Sequence, residues 1–133
     1  MNIADKAALF AEVKRVLRPG ASFGVYDVMR LGEGDLPWPM PWAAGPEASF
    51  VETPETYRRL LREAGFAVEA EHDRGALALR LVREARERAA ARGPSPLGPQ
   101  LLMGPTAPQR VGNVMAAVEQ GLIAPLAMVA RAG

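Results

Sequence analysis

Leu9, Phe10, Val13, Val16 and Leu17 recur at helical spacing, with Glu12, Lys14 and Arg15 between them. That pattern predicts a helix over residues 4–17 with one buried stripe. Arg18-Pro19-Gly20 stops it, because a residue before proline avoids the helical region and Gly20 can take the turn. The next run, Phe23-Gly-Val-Tyr-Asp-Val-Met29, shows no strict polar alternation. It predicts a strand over Ser22–Met29, apolar on both faces, of the kind found inside a sheet covered by helices. Residues 30–52 have no period and carry four prolines, so they read as a loop, and loops of this length in compact domains are usually functional or disordered.

Thr53-Pro54 then opens a second helix with an N-cap residue and a proline at the first helical position. Tyr57, Leu60, Leu61 and Ala64 form its stripe, and Gly65 ends it with Phe66 packing back. Val68, Ala70 and His72 alternate with Ala67, Glu69 and Glu71, which predicts a strand over residues 67–73 with one buried and one wet face, as at a sheet edge. Leu77, Ala78, Leu81, Val82, Ala85 and Ala89 predict a long helix from Gly75 to Arg92. "GPSPLGPQLLMGP" reads as a linker. Thr106 and Gln109 have the spacing of a capping box ahead of Val111, Val114, Met115 and Val118, and Gly121 closes that helix. "LIAPLAMVARAG" supplies a last strand, with Pro125 near its start, where a missing donor is tolerated. There is no internal repeat.

Composition narrows the function classes. A chain of 133 residues is one domain by default. Sixteen basic and fifteen acidic residues give a net charge of +1, so the overall field makes no case for nucleic acid or for an anionic membrane as partner. With no cysteine and a single histidine, His72, disulfides, thiolate metal sites and histidine-rich metal sites are excluded. The first twenty residues carry charges through their apolar positions, which is wrong for a signal peptide, and no apolar run approaches membrane-spanning length. A soluble cytoplasmic protein is the expectation.

The segments "MNIADKAALFAEVKRVLRPG", "SFGVYDV", "PWPMPWA", "TPETYRRLLREAGF" and "VMAAVEQGLIAPLAMVAR", in that order, carry a resemblance. The whole chain resembles the C-terminal half of a class I S-adenosylmethionine-dependent methyltransferase of the small-molecule type. The resemblance implies an α/β fold: a truncated Rossmann-like sheet of about three strands with helices, the last strand running antiparallel between the other two, completed by dimerisation. It also implies that S-adenosylmethionine is the cofactor of full-length relatives, gripped by a glycine-rich turn and an acidic residue in a leading half that these residues do not match. The expectation is that this chain alone binds no cofactor. The one Gly-x-Gly, Gly32-Glu33-Gly34, is followed by Asp35-Leu36-Pro37 rather than by a third glycine and a helix, and reads as a turn. Ala21 stands where relatives commonly have a second glycine. Because relatives carry the Asn2-Ile3 segment right after their fourth strand, Met1 is expected to be an internal codon read as a start, in a degenerate, disrupted or misannotated gene.

Candidate chemistry is sparse. Methyl transfer from a sulfonium is an in-line displacement that depends mostly on placement. Tyr26 and Asp27, toward the C-terminal part of their strand, lie where ligands gather in open α/β sheets, and the resemblance implies that this strand end faces a small-molecule acceptor. The other reading of Asp27 is a carboxylate held by an arginine or a helix end. Trp38, Met40 and Trp42, spaced by prolines, present large apolar surfaces; in relatives the corresponding loop covers the acceptor pocket, and the alternative is that they close the core over a sheet end. His72 beside Asp73 suggests a base and its orienting carboxylate, but neighbours in a strand point apart, so a structural or solvent-facing histidine is expected. The arginines at 80, 83, 86, 88 and 92 suggest an anion patch, yet Glu84 and Glu87 among them point to a solvated face. Without a fourth strand the Ser22–Met29 segment is an edge, and an exposed edge pairs, so a homodimer through it is expected. Two functions remain: a methyltransferase-like protein lacking its cofactor half, or a catalytically silent dimeric module that binds a small molecule or a protein.

Overall fold

The structure is a computed structural model that describes residues 1–93 and 95–133; Pro94, inside the expected linker, lies outside them. The order of elements is α1 (Lys6–Val16), β1 (Ser22–Arg30), α2 (Pro54–Glu63), β2 (Phe66–Asp73), α3 (Gly75–Arg92), a short α4 (Gln100–Met103), α5 (Ala107–Glu119) and β3 (Ile123–Ala132). The strands form one sheet in the order β1-β3-β2, with β3 antiparallel to both neighbours. The resemblance implied this arrangement.

Local chemistry fixes most element ends. Asp5 caps α1 by accepting from the Ala8 amide at 2.8 Å, and Thr53 caps α2 by accepting from the Thr56 amide at 3.2 Å. Gly65 ends α2 in the left-handed region at φ +89°, where a side chain would be strained. Pro125 is tolerated inside a central strand because β2 stops at Asp73, opposite Leu126; the nitrogen that cannot donate faces past the end of β2, while the Pro125 carbonyl accepts from the Arg74 amide at 2.8 Å.

Two expectations about element ends are corrected. Thr106 and Gln109 do not form a capping box: the Thr106 hydroxyl donates to the Met103 carbonyl and accepts from Arg110 Nε, each at 3.0 Å. The expected linker contains α4, followed by a 3-10 turn over Gly104–Thr106.

One face of the sheet carries α1 and α2. Phe10, Tyr57, Leu61, Phe66, Met29 and Met128 form its buried centre, joined by Phe23 and Val25. The aromatic rings meet edge to face: Phe10 lies 6.2 Å from Phe23 and 5.8 Å from Tyr57, centroid to centroid. The opposite face is covered only at one end, where Met40, Ala117, Val118 and Ile123 pack with Val28, Trp38, Trp42 and Val114. β1 is therefore not covered on both faces: Ser22, Gly24 and Tyr26 point to the uncovered part, and Tyr26 is 65% exposed.

β2 also departs from simple alternation. A bulge between Val68 and Ala70 inserts one residue and exchanges the faces beyond it. Val68 joins the core under α2, whereas His72 falls on the other face opposite Ala127 and is exposed.

Candidate functional site

Backbone direction on β1 decides what its outer edge offers. In an antiparallel strand alternate residues point their amides to the same side. The Leu31 amide and the Ala21 carbonyl bond toward β3, to the Leu122 carbonyl and the Ala132 amide, both at 2.9 Å. The Arg30 amide points the other way and donates to the Glu52 carbonyl at 2.9 Å. Even-numbered residues of β1 thus face the outer edge. Val28 donates there to its neighbour's carboxylate, Asp27 Oδ1, at 2.8 Å. The chain's own loop and Asp27 so close the edge at Val28 and Arg30. The Ser22, Gly24 and Tyr26 amides face an edge that pairs with no strand among the described residues.

Where the closed part of the edge meets α1 there is a cavity of about 210 Å³, lined by Met1, Ile3, Lys6, Phe10, Tyr26, Asp27 and Tyr57 among others. Lys6 stands on the apolar stripe of α1, one turn before Phe10, and is 4% exposed. Its ammonium donates to the Ile3 carbonyl at 2.9 Å and to the Phe50 carbonyl, and lies 5.6 Å from the centre of the Tyr57 ring. The Tyr57 hydroxyl donates to Asp27 Oδ2, which also accepts from the Met1 ammonium at 2.6 Å. Asp27 thus accepts bonds from Tyr57, Met1 and Val28, and its second reading comes closest: a carboxylate held in place, although by a tyrosine, an ammonium and a backbone amide rather than by an arginine.

Burial pushes the Lys6 ammonium below its ordinary value of 10.5, against the charges of Glu52 and Asp27, which raise it. Tyr57 moves well above its ordinary 10.0, first through burial, then through its bond to Asp27 and the charges of Asp27 and Glu52. These shifts have opposite signs in stability. Between the lowered value of Lys6 and 10.5 the unfolded chain holds the proton the folded chain has released, so stability from Lys6 rises with pH. Above 10.0 the unfolded chain loses the Tyr57 proton that the folded chain keeps, so stability from Tyr57 falls with pH. In urea unfolding, Lys6→Met is expected to flatten the rise below pH 10.5 and Tyr57→Phe the fall above pH 10. Variant curves that run parallel to the wild type would show that neither group titrates differently on folding.

The five residues proposed from the sequence are not brought together. Tyr26 and Asp27 line the cavity. Trp38, Met40 and Trp42 pack in the second cluster, on the other face of the sheet, with Met40 fully buried. Their loop is tied to α5: Arg110 Nη1 donates to the Met40 carbonyl at 2.6 Å and Asn113 Nδ2 to the Pro39 carbonyl at 2.9 Å. Trp42 Nε1 donates to Ser49 Oγ at 2.9 Å. This packing follows the reading in which the tryptophans close the core over a sheet end. His72 and Asp73 form no dyad, since Asp73 Oδ1 accepts from the Gly75 amide at 2.7 Å and so starts α3. Sequence reasoning passed over Lys6, whose signal was a charge on the apolar stripe four residues before Phe10.

A Cβ on Gly32 would come 2.7 Å from the Gly121 carbonyl, so that glycine serves the close approach of the loop to the α5–β3 turn. No group of three or more histidine, aspartate or glutamate side chains among the described residues is placed to hold a metal. No helix among them is long and apolar enough to cross a membrane.

No family model and no curated protein matches the sequence. Solved structures do match the fold. A geranyl diphosphate methyltransferase in complex with S-adenosylmethionine superimposes with a TM-score of 0.67 at 17% identity, over 99% of this chain and 47% of that one. Phosphoethanolamine N-methyltransferase 2 of Haemonchus contortus, also with S-adenosylmethionine, gives 0.65 at 16% identity, over 98% of this chain and 30% of that one. The [4+2]-cyclase SpnF gives 0.54 at 19% identity, over 98% and 45%. The chain has the fold of the C-terminal half of a class I S-adenosylmethionine-dependent methyltransferase and spans less than half the length of these structures. At such identities the likeness shows the fold, and a cyclase among the matches illustrates that this fold does not fix the chemistry.

Proposed function

We propose that these 133 residues form the acceptor-side half of an S-adenosylmethionine-dependent methyltransferase acting on a small molecule, with the cofactor held by a half outside them. The observation that carries this reading is the pairing of a near-complete match with an unpaired strand: 98–99% of the chain lies on under half of each neighbour, and no strand among the described residues pairs with the Ser22–Tyr26 edge. Bound in the other half, S-adenosylmethionine supplies an electrophilic methyl group. The part of this chain is placement, which dominates such displacements. Tyr26 and Asp27 stand beside the cavity at the strand end where an acceptor would approach, and the Tyr57 hydroxyl, donating to Asp27 Oδ2, holds that carboxylate in place. The Trp38–Trp42 loop, pinned to α5, seals the neighbouring sheet end against water. A cytoplasmic site of action fits this reading.

Calorimetric titration with S-adenosylhomocysteine tests it. The chain alone is expected to give no saturable heat, because this reading puts the cofactor's grip in the other half. Tight one-to-one binding would mean that the chain contains a cofactor site of its own and would overturn the division into halves.

A second reading draws on the same edge. In it the chain is a catalytically silent module that pairs β1 with β1 of a second copy around a two-fold axis and keeps the cavity for a small molecule or a protein segment. Sedimentation velocity at micromolar concentration is expected to show a dimer under this reading, and a monomer at every concentration would remove it.

A further inference from the structure

The arginines of α3, read from the sequence as a solvated face, separate into two groups. Arg80 and Arg88 both approach Glu84, each at 3.7 Å. Arg86 lines a groove of about 380 Å³ between the second half of α3 and the α4–α5 segment. Apart from Arg86 and Gln100 the walls are apolar and small: Val82, Ala85 and Ala89 on α3 face Ala107, Pro108 and Val111 on α5. On its other side Arg86 borders a cavity of about 80 Å³ together with Arg83 and Glu119. Two guanidinium groups there face one carboxylate, and among the described residues no carboxylate comes within 4.0 Å of either. The surroundings repeat the imbalance: residues 75–110 carry six arginines against two glutamates in a chain whose net charge is +1. Flanking the groove-lining Pro99 and Gln100 in sequence, Leu97, Leu101 and Leu102 are 85%, 64% and 91% exposed.

We propose that this groove binds an anionic amphiphile, an aliphatic chain with a carboxylate head of the fatty-acid type. The chain lies between the alanines, valines and prolines of α3 and α5, and the head meets Arg86. An apolar concavity of this size with few polar groups is the usual form of a small-ligand site. The alanine floor leaves room for an unbranched methylene chain, and a cation with excess positive charge around it selects an anionic head over a neutral or cationic one. The three exposed leucines offer surface that a tail emerging from the groove would cover, which gives their exposure a purpose. The inference does not depend on the methyltransferase reading, since the groove is separate from the cavity at Asp27.

Titration of the full chain with decanoate, decanol and decyltrimethylammonium, each as monomer in solution, is the test. Decanoate is expected to bind one to one, at least about tenfold more tightly than either analogue, as a charge-assisted contact provides. Arg86→Glu is expected to remove that preference, and Ala89→Phe, which fills the groove, to abolish decanoate binding; far-UV circular dichroism checks that both variants fold. Equal binding of the three probes, decanoate binding that survives Ala89→Phe, or association with phosphatidylglycerol vesicles in place of the monomer would overturn the proposal. So would a dimer that Ala89→Phe dissociates, because a second copy would then be the occupant.

Discussion

Replacing Phe10 by alanine is expected to cost about 3–5 kcal/mol, the range for deleting a fully buried phenylalanine and leaving its cavity. Phe10 is 0% exposed and joins elements far apart in sequence: it sits on α1, and its ring meets Phe23 on β1 and Tyr57 on α2 edge to face. Against a total of roughly 5–15 kcal/mol for a domain, the loss is a large part of the stability. At about 1–3 kcal/mol per molar urea, the unfolding midpoint should fall by on the order of 1–5 M. A fall worth under about 1 kcal/mol would mean that the α1–β1–α2 contact does not hold the molecule together.

The second large effect concerns the edge of β1. Tyr26 faces its amide outward, so Tyr26→Pro removes a donor from the free edge and none from the ladder to β3. If β1 pairs with a second copy, each molecule loses about one hydrogen bond and gains a ring in the way of the approaching strand. Two such losses of about 1–1.5 kcal/mol weaken dimerisation roughly a hundredfold. Sedimentation at several concentrations, with circular dichroism to confirm the fold, reads the change. A dimer equally tight in Tyr26→Pro would place the interface elsewhere.

The sequence made the order of elements legible because the punctuation is strong. Arg18-Pro19-Gly20, Thr53-Pro54 and Gly65 mark ends by backbone chemistry that tertiary contacts do not override. The central place of β3 came from the resemblance; β1, whose apolar run on both faces suggested a strand inside a covered sheet, is the edge. That run misled because its faces are buried unequally: Phe23, Val25 and Met29 pack under α1 and α2, while Tyr26 on the other face stays in solvent. Alternation along β2 was legible only up to the bulge, and a bulge has no signature when the extra residue is an exposed glutamate such as Glu69. At the site, Asp27 was visible as a polar residue in an apolar strand. Its donors were not, because Tyr57 lies 30 residues away and was accounted for as a stripe residue. Whether Trp38, Met40 and Trp42 face a ligand or the core depended on Arg110 and Asn113 reaching the carbonyls of their loop from α5, contacts over 70 and 74 residues that no local pattern reveals.

The division of the fold into halves requires β1 to be open at Ser22–Tyr26 and closed by its own chain at Val28 and Arg30. Amide hydrogen exchange, followed residue by residue as the protein is diluted, measures that directly. The Val25 and Asp27 amides, in the ladder to β3, should stay protected at every concentration. The Gly24 and Tyr26 amides should exchange fast in dilute solution and slow only where another strand can cover them. Protection of Gly24 and Tyr26 that persists undiminished at the lowest concentration would show the edge already paired within one molecule, and would contradict the division of this fold into halves.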